Sequence, residues 1–542
     1  MHIARRARSR RDDGSPVVTR RGVVAIGVLV AWLGGLGFLA RRELFKGSGQ
    51  RLAELALRIT PETFYYVVEQ SGRQVGFASS AIDTAPRAII VKDAFAVDLV
   101  VAGQVHSTSA QSEVRLSRGM VLQGFSATFS ADSSPVAVHG STEGDTAIRY
   151  TLTSGDSPPD SGRLSVKGPV LLPTLIPLAV ALGEPPKVGK RFTLPTFDPA
   201  TMGMHNLTIE IRAESLFTIA DSAAYDSTTA RWLVVHRDTV RAWKLGSDDG
   251  RWPASWIDER GRIVESVQSG GLVLRRTAFE VAFENWRNAR RAEAGAPRAG
   301  RNDVLETTAI AAGVRLSARL PRLRVRLRAA SLDGFDLDGG RQTLAGNLLD
   351  VRKETDSAIA AGAAAMPSGA VLTFRYKREL SAEPLLQTGD ARLQALVGRL
   401  SRGTTDKRVI AERLVRWVYD SLRKEVTISV PDALRVLAQR SGDCNEHTQL
   451  FVALARTAQI PARTASGLAY VNGTFYFHAW PEVFLGTWVA VDPTFGQFPA
   501  DAAHLRFVIG GLTRQAALLS LIGSLRIDVL DPAPVQRLPP TP

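Results

Sequence analysis

Ser441-Gly442-Asp443-Cys444-Asn445-Glu446 reads as a turn handing over to a helix, and it holds the one cysteine among 542 residues. A single thiol cannot close a disulfide within its own chain, so its placement needs another explanation. Asp443 suits an N-cap, and Glu446 three positions on completes a capping box. Leu450, Phe451, Leu454 and Ala455 then recur at helical spacing, and the helix is expected to end before Ile460-Pro461. Cys444 therefore falls in the first turn, where unpaired N–H groups and the macrodipole favour an anion. A helix N-terminus and a nearby imidazolium lower a thiol pKa from about 8.5 to roughly 3.5–7.5. Asp443 and Glu446 pull the other way unless the cap bonds occupy them. A small buried hydrophobe is the plainer reading of a free cysteine. Such a residue would fall inside the helix rather than behind Gly-Asp at its start, so Cys444 is read as an activated nucleophile.

Its partners come from a strand meander. Arg463–Val471 leads to Asn472-Gly473, a two-residue hairpin signal, and the return strand runs from Thr474 to about Phe484. Gly486 marks a second turn, after which Trp488–Asp492 comes back. Thr474, Tyr476, His478 and Trp480 share one face of the middle strand. With a three-residue turn at Phe484–Gly486, His478 stands directly opposite Asp492, and a slip of one residue would send the carboxylate to the wrong face. Facing Cβ atoms about 4.5–5.5 Å apart are within reach of an Asp–imidazole hydrogen bond. Cys444, His478 and Asp492 thus form a nucleophile, its base and the orienter of the base.

His447 is the rival base, one helical turn beyond Cys444. It has no carboxylate orienter besides its neighbour Glu446, and it reads as a packing or supporting residue. His2, His106, His139, His205, His236 and His504 are scattered. With one cysteine and no paired histidine spacing, neither a zinc site nor any other metal or cofactor is expected.

The stretch from about Val430 to Phe498 resembles the transglutaminase-like superfamily, relatives of papain by circular rearrangement. The resemblance rests on Pro431-Asp432-Ala433, Gly442-Asp443-Cys444-Asn445-Glu446, Ile460-Pro461-Ala462-Arg463, Gly467-Leu468, His478-Ala479-Trp480-Pro481-Glu482 and Trp488-Val489-Ala490-Val491-Asp492-Pro493-Thr494, in that order. It implies a central helix carrying Cys444 against an antiparallel sheet carrying His478 and Asp492, with helices near Ala391–Leu400 and Asp406–Leu422 in the same domain. It also implies attack of the thiolate on a glutamine carboxamide or other amide carbonyl, with a thioester intermediate. An amine would resolve that thioester in a transglutaminase, and water in an amidase or peptidase. The Cys444 backbone N–H is one candidate oxyanion donor. Trp417 or Tyr419 is another, although their spacing with Leu414 and Leu422 suits core packing better.

Around this core the chain changes character. Seven arginines from Arg5 to Arg21 precede an uncharged run from Gly22 to Ala40, closed by Arg41-Arg42. At a rise of ~1.5 Å per residue the run spans about 28 Å, close to the ~30 Å hydrocarbon core. A cleaved signal peptide would have a shorter apolar stretch, and no small-x-small site precedes Arg41. The expectation is an uncleaved transmembrane anchor at 22–40, with a cytoplasmic basic arm at 1–21 and the bulk of the chain on the external or periplasmic side. A chain without spare cysteines suits that location.

Residues 60–285 alternate in short runs split by Gly, Pro, Asp and Ser, as in Ala147–Thr153 and Ile263–Ser266, and Asp258-Glu259-Arg260-Gly261 reads as a hairpin turn. An antiparallel β-rich domain follows, a plain scaffold or a lipid- or substrate-carrying groove. Residues 286–302 read as an Arg/Ala-rich linker, 303–380 as a β-rich connection, 381–510 as the catalytic domain, and 511–542 as an extension ending in a Pro-rich tail. Arg322-Leu323-Arg324-Val325-Arg326-Leu327-Arg328 alternates as a strand with one basic face, solvated or attracted to anionic envelope polymers. The net charge of +14 lies largely in these segments and the arm, without the aromatic-basic platform of a nucleic-acid binder.

The fold class expected is α+β: an N-terminal transmembrane helix, an antiparallel β-rich domain and a C-terminal transglutaminase-like domain. The function expected is a cysteine amidase, peptidase or acyltransferase on peptide or protein substrates. The alternative is a non-catalytic envelope binding or assembly module that keeps the fold for docking.

Overall fold

Alternating apolar and polar residues between tight turns make the first half of the chain strand. In the computed structural model, which describes residues 59–531 and 536–537 with short interruptions (294–302 the longest), this half is a fourteen-stranded antiparallel sheet. The expected basic arm and the apolar run at 22–40 lie outside the described residues. Among the described residues no single helix is long and apolar enough to cross a membrane.

Eight strands form a meander: β1 (Glu62–Gln70), β2 (Arg73–Ala85), β3 (Ala88–Val101), β4 (Gln104–Ser117), β5 (Leu122–Ala131), β6 (Ser134–Glu143), β7 (Ala147–Ser154) and β8 (Asp160–Ser165). Six more follow: β9 (Arg191–Asp198), β10 (Gly203–Asp226), β11 (Arg231–Gly246), β12 (Ser255–Asp258), β13 (Ile263–Val267) and β14 (Leu272–Thr277). The halves join where β14 pairs antiparallel with β1, leaving β8 and β9 as the edges. Sheets of this width curl because each strand twists. Phe125 of β5 and Phe197 of β9, far apart in strand order, have ring centroids 5.4 Å apart. Leu171, just beyond β8, bridges to Thr196 of β9. The concave side therefore encloses a core of Ile89, Leu116, Ile148 and Leu175.

Two expectations beyond the sheet need correcting. Residues 286–293, placed in a solvated linker, belong to the helix Asn285–Glu293, because Phe283 and Trp286 dock on Phe77 of β2 with centroids 4.9 and 5.0 Å apart. The stretch 303–380 is less β-rich than expected: after strands Arg322–Arg328, Gln342–Ala345 and Leu348–Arg352 it turns helical at Asp356–Ala364, Gly369–Arg375 and Lys377–Leu380. Arg322–Arg328 buries Leu323, Val325 and Leu327 and turns its arginines outward. Arg322 pairs with Asp350 at 2.7 Å and Arg328 with Asp528 at 2.5 Å. Its basic side is the solvated face of a half-buried strand.

The C-terminal domain packs the helix Cys444–Thr457 centrally, with Leu450, Phe451, Leu454 and Ala455 all fully buried. A helix apolar on nearly every side belongs inside a domain. Helices Ala391–Leu400 and Lys407–Ser421 cover it, N-capped by Asp390 and Asp406. On its other side lies an antiparallel sheet in the order Ile310–Ala311, Thr474–Phe484, Ala462–Val471, His504–Ile509, with Trp488–Ala490 also pairing Thr474–Phe484. Leu385 and Val430 of this domain join the core of the large sheet, and Ser157 donates to Asp432 Oδ1 at 3.1 Å, so the two domains touch.

Candidate active site

The expected capping box is present. Asp443 Oδ1 accepts from Asn445 N–H at 2.8 Å, and Glu446 Oε2 accepts from Asp443 N–H at 3.0 Å. Gly442 precedes it at φ +153°, and a Cβ there would sit 2.3 Å from that of Glu446. The turn can form in this shape only without a side chain. Cys444 follows, half-buried, at the first position of the helix.

The hairpin is also as read: Val471 pairs with Thr474 around Asn472 (φ +49°) and Gly473 (φ +102°), the signs a type I′ turn requires. The second turn differs. Phe484 pairs with Trp488 and Glu482 with Ala490, so the turn is Leu485-Gly486-Thr487 and the register is two residues away from the expected one. The strand also ends at Ala490, and Asp492 lies beyond it in a bridge to Gln497. A two-residue shift keeps every side chain on its face. His478 and Asp492 therefore still meet, diagonally rather than directly opposite, with His478 Nε2 2.8 Å from Asp492 Oδ2.

Asp492 is fully buried and fully bonded. Its Oδ1 accepts from the N–H groups of Thr494 (2.7 Å) and Phe495 (3.0 Å). Its Oδ2 accepts from two imidazoles: His478 and, at 2.9 Å, His504 Nε2. Burial alone would raise its pKa, but the two histidines hold it well below the carboxylate range. A carboxylate only accepts, so His478 carries a proton on Nε2 and, when neutral, a lone pair on Nδ1. The Phe495 ring lies parallel to the His478 ring at 4.7 Å.

His504, read from sequence as one of the scattered histidines, belongs to this cluster. Its Nδ1 lies 3.0 Å from Asp501 Oδ1, so both ring nitrogens face acids. Burial works against its charge, yet the bonds to Asp492 and Asp501 push its pKa up to about 9. It is an imidazolium at neutral pH. His504 pairs with Ala469, and His478 with Gly467, on the strand between them. A Cβ on Gly467 would lie 2.0 Å from the Leu505 carbonyl oxygen, so the strand carrying His504 can approach this closely only against a glycine. A signal was available in the acid three residues before His504, but the pairing of its strand with Ala462–Val471 is long-range and leaves no mark in a local pattern.

The thiol departs from expectation. The Ala479 N–H, next in the chain to His478, donates to the Cys444 sulfur and favours the thiolate. Burial, then the charge of Asp443, outweigh it and push the thiol well above its ordinary value, with Glu446 and Asp492 adding in the same direction. The Asp443 carboxyl is itself pushed up by burial and by Glu446 beside it. The helix terminus does not lower the thiol because its first donors are spent on the cap and the acids Asp443 and Glu446 stand beside the sulfur.

His447 is fully buried, its Nδ1 2.7 Å from the Asp443 carbonyl, and burial lowers its pKa. That is a packing position. Trp417 packs against the helical core under Arg440 (4.6 Å). Tyr419, expected in the core, is instead 38% exposed and lies against Gly496, beside Phe495. Facing nitrogen and oxygen atoms of His478, Asp492 and His504 lie within 4.8 Å of one another, close enough to hold a cation, as do those of the exposed Asp221, His236 and Asp238. The first set already spends Asp492 Oδ2 on two N–H groups.

Residues 394–493 match the transglutaminase-like superfamily, and the match spans Cys444, His478 and Asp492. No curated protein matches the chain. Among solved structures, the chain is similar to one from Cytophaga hutchinsonii described as a candidate cysteine protease, at 14% identity and a TM-score of 0.25 over 39% of this chain and 86% of that one. It is also similar to a β-barrel-like protein of a domain of unknown function from Brucella abortus, at 13% identity and a TM-score of 0.27 over 41% of this chain and 96% of that one. The stretch 394–493, which carries Cys444, His478 and Asp492 together, is thus similar to the transglutaminase-like superfamily.

Proposed function

We propose that this protein is a membrane-anchored, externally facing cysteine enzyme that acts on amide bonds of peptides or proteins through a thioester. The observation that carries the reading is the pairing of His478 with Asp492 at 2.8 Å, beside the Ala479 N–H that reaches the Cys444 sulfur. In this reading the Cys444 proton passes to His478 Nδ1 as the sulfur attacks an amide carbonyl. Asp492 holds the ring and stabilises the imidazolium that forms. The tetrahedral oxyanion lies at the open end of the nucleophile helix, near the Cys444 N–H. Collapse expels the amine, which takes the proton from His478, and leaves a thioester on sulfur. Water activated by the same histidine completes hydrolysis, and an amine in its place completes transfer. Hydrolysis is favoured because water is always at hand.

The thiol is held up by burial, so proton transfer is coupled to attack rather than complete beforehand. That same fact favours the second reading, a non-catalytic binding or assembly module in which Cys444 is only a half-buried small residue. The test is to incubate the full chain with a peptide mixture, quench in acid and weigh it. A hydroxylamine-labile acyl adduct on Cys444, absent in Cys444→Ala, supports the enzyme. Release of new amino termini or ammonia, against incorporation of an added amine, separates hydrolysis from transfer. No adduct and no release with any peptide leaves the binding module as the better reading.

A further inference from the structure

A cavity of about 1020 Å³ lies between the concave side of the large sheet and the C-terminal domain, lined by both. Cys444, His478 and Asp492 do not line it, so it is separate from the candidate active site. Ligand pockets commonly span roughly 300–1,000 Å³. Ile82, Val91, Val136, Val138, Leu152 and Leu178 give it apolar walls. A space this large inside a sheet of β-branched and aliphatic residues is not a packing remnant, since interiors leave few voids larger than water.

The polar groups on its wall are unequally satisfied. Asp93, the acid on the sheet side, accepts from Ser80 at 2.6 Å, from Ser112 at 3.4 Å and from Thr174, and burial pushes its pKa up. Its oxygens are already occupied by these three hydroxyls. Arg262 is different. It is 8% exposed, and its guanidinium makes no hydrogen bond or ion pair among the described residues; Nε is buried without an acceptor. Of the neighbouring acids, Asp258 Oδ2 bonds Arg276 at 2.8 Å, and Glu62 Oε2 lies 3.8 Å from Arg260 without a hydrogen bond; both attract Arg262 through space but neither bonds it. Trp252 Nε1, on the same wall, is also buried without an acceptor.

The bland account is that Arg262 is content over the Phe64 ring, 5.4 Å away. Such a contact contributes about 0.5–2 kcal/mol, whereas desolvating an unpaired ion costs several kcal/mol. The ring does not offset the burial. Two donors without acceptors, on the wall of an apolar cavity, ask for an apolar molecule with an acceptor head.

We propose that this cavity binds a single-chain anionic amphiphile, a long-chain carboxylate, its aliphatic chain along the sheet wall and its head on Arg262 and Trp252. The proposal does not rest on the cysteine chemistry.

The test is titration of the delipidated full chain with oleate below its micelle concentration, and with methyl oleate as the uncharged control. Saturation at one oleate per chain is expected, with methyl oleate weaker by on the order of tenfold or more, as losing one charge-assisted bond implies. Arg262→Gln should weaken oleate to the level of its ester and leave the ester unchanged. Ala127→Trp, which fills the cavity from β5, should abolish binding of both; thermal unfolding checks that it folds. The proposal is overturned by non-saturating oleate binding, by unchanged oleate affinity in Arg262→Gln, or by parental binding in a folded Ala127→Trp. The arginine arm decides the matter even if the tryptophan variant does not fold.

Discussion

His504 donates its Nε2–H to Asp492 Oδ2 at 2.9 Å, the same oxygen that orients His478. The acid of the candidate triad is therefore shared with a second imidazole, itself clamped from behind by Asp501 at 3.0 Å. One carboxylate serves two rings, and His478 is next in the chain to Ala479, whose N–H reaches the Cys444 sulfur.

Stability should depend on the charge of His504. Its folded pKa of about 9 lies above the ordinary value of 6.5, so the stabilisation is complete below pH 6.5 and is lost as pH rises through 9. The difference corresponds to about 3 kcal/mol. Urea unfolding at a series of pH values should show a decline over this window, and His504→Gln should flatten it. An equal decline in parent and variant would show that the His504 charge contributes nothing.

If the enzyme reading holds, Cys444→Ala abolishes turnover and His478→Ala loses nearly as much. Asp492→Asn should lose somewhat less, on the order of 10³–10⁴-fold in kcat by analogy with other triads. That variant also removes the counter-charge of a buried imidazolium, so it should lower the unfolding midpoint as well. His447→Ala should be mild in rate. Near-normal turnover in either Cys444→Ala or His478→Ala ends the mechanism.

Alkylation of Cys444 should rise towards alkaline pH, because burial and Asp443 hold its thiol up. Asp443→Asn keeps an N-cap side chain and removes a negative charge, so the profile should move to lower pH. Iodoacetamide rates across pH measure both. A plateau that persists well below pH 7 in the parent and vanishes in His478→Ala would instead mark a preformed thiolate–imidazolium pair.

Gly442→Ala should cost on the order of 1–3 kcal/mol, since φ is +153° and the added carbon would meet the Glu446 side chain at 2.3 Å. It should also displace Cys444. Unfolding midpoints and alkylation rates read the two effects; an unchanged midpoint would mean the turn relaxes freely.

Much of the candidate site was legible locally. A capping box is settled by four consecutive residues, and the Asn472-Gly473 hairpin by two that tolerate positive φ. The facing of His478 and Asp492 followed from strand parity alone. The register did not, because alternation distinguishes odd slips from even ones and nothing else. His504 was illegible because its strand reaches the site through Ala462–Val471, a pairing of residues about 35 apart in the chain. Tyr419 sat at core spacing and yet faces out, because Gly496 and Lys424 meet it there instead of other helices.

The sequence by itself determined where the nucleophile helix starts, which residues share its neighbouring strand's face, and that the first half of the chain is antiparallel sheet. Each of these depends on backbone sterics and side-chain period over a few residues. Only the tertiary structure decided that Asp492 serves two imidazoles, that His504 is charged, that the Cys444 thiol is held up, and that Arg262 lines a cavity with its Nε unbonded. Those are matters of desolvation and of charges brought together from distant parts of the chain, and a local pattern carries no record of them.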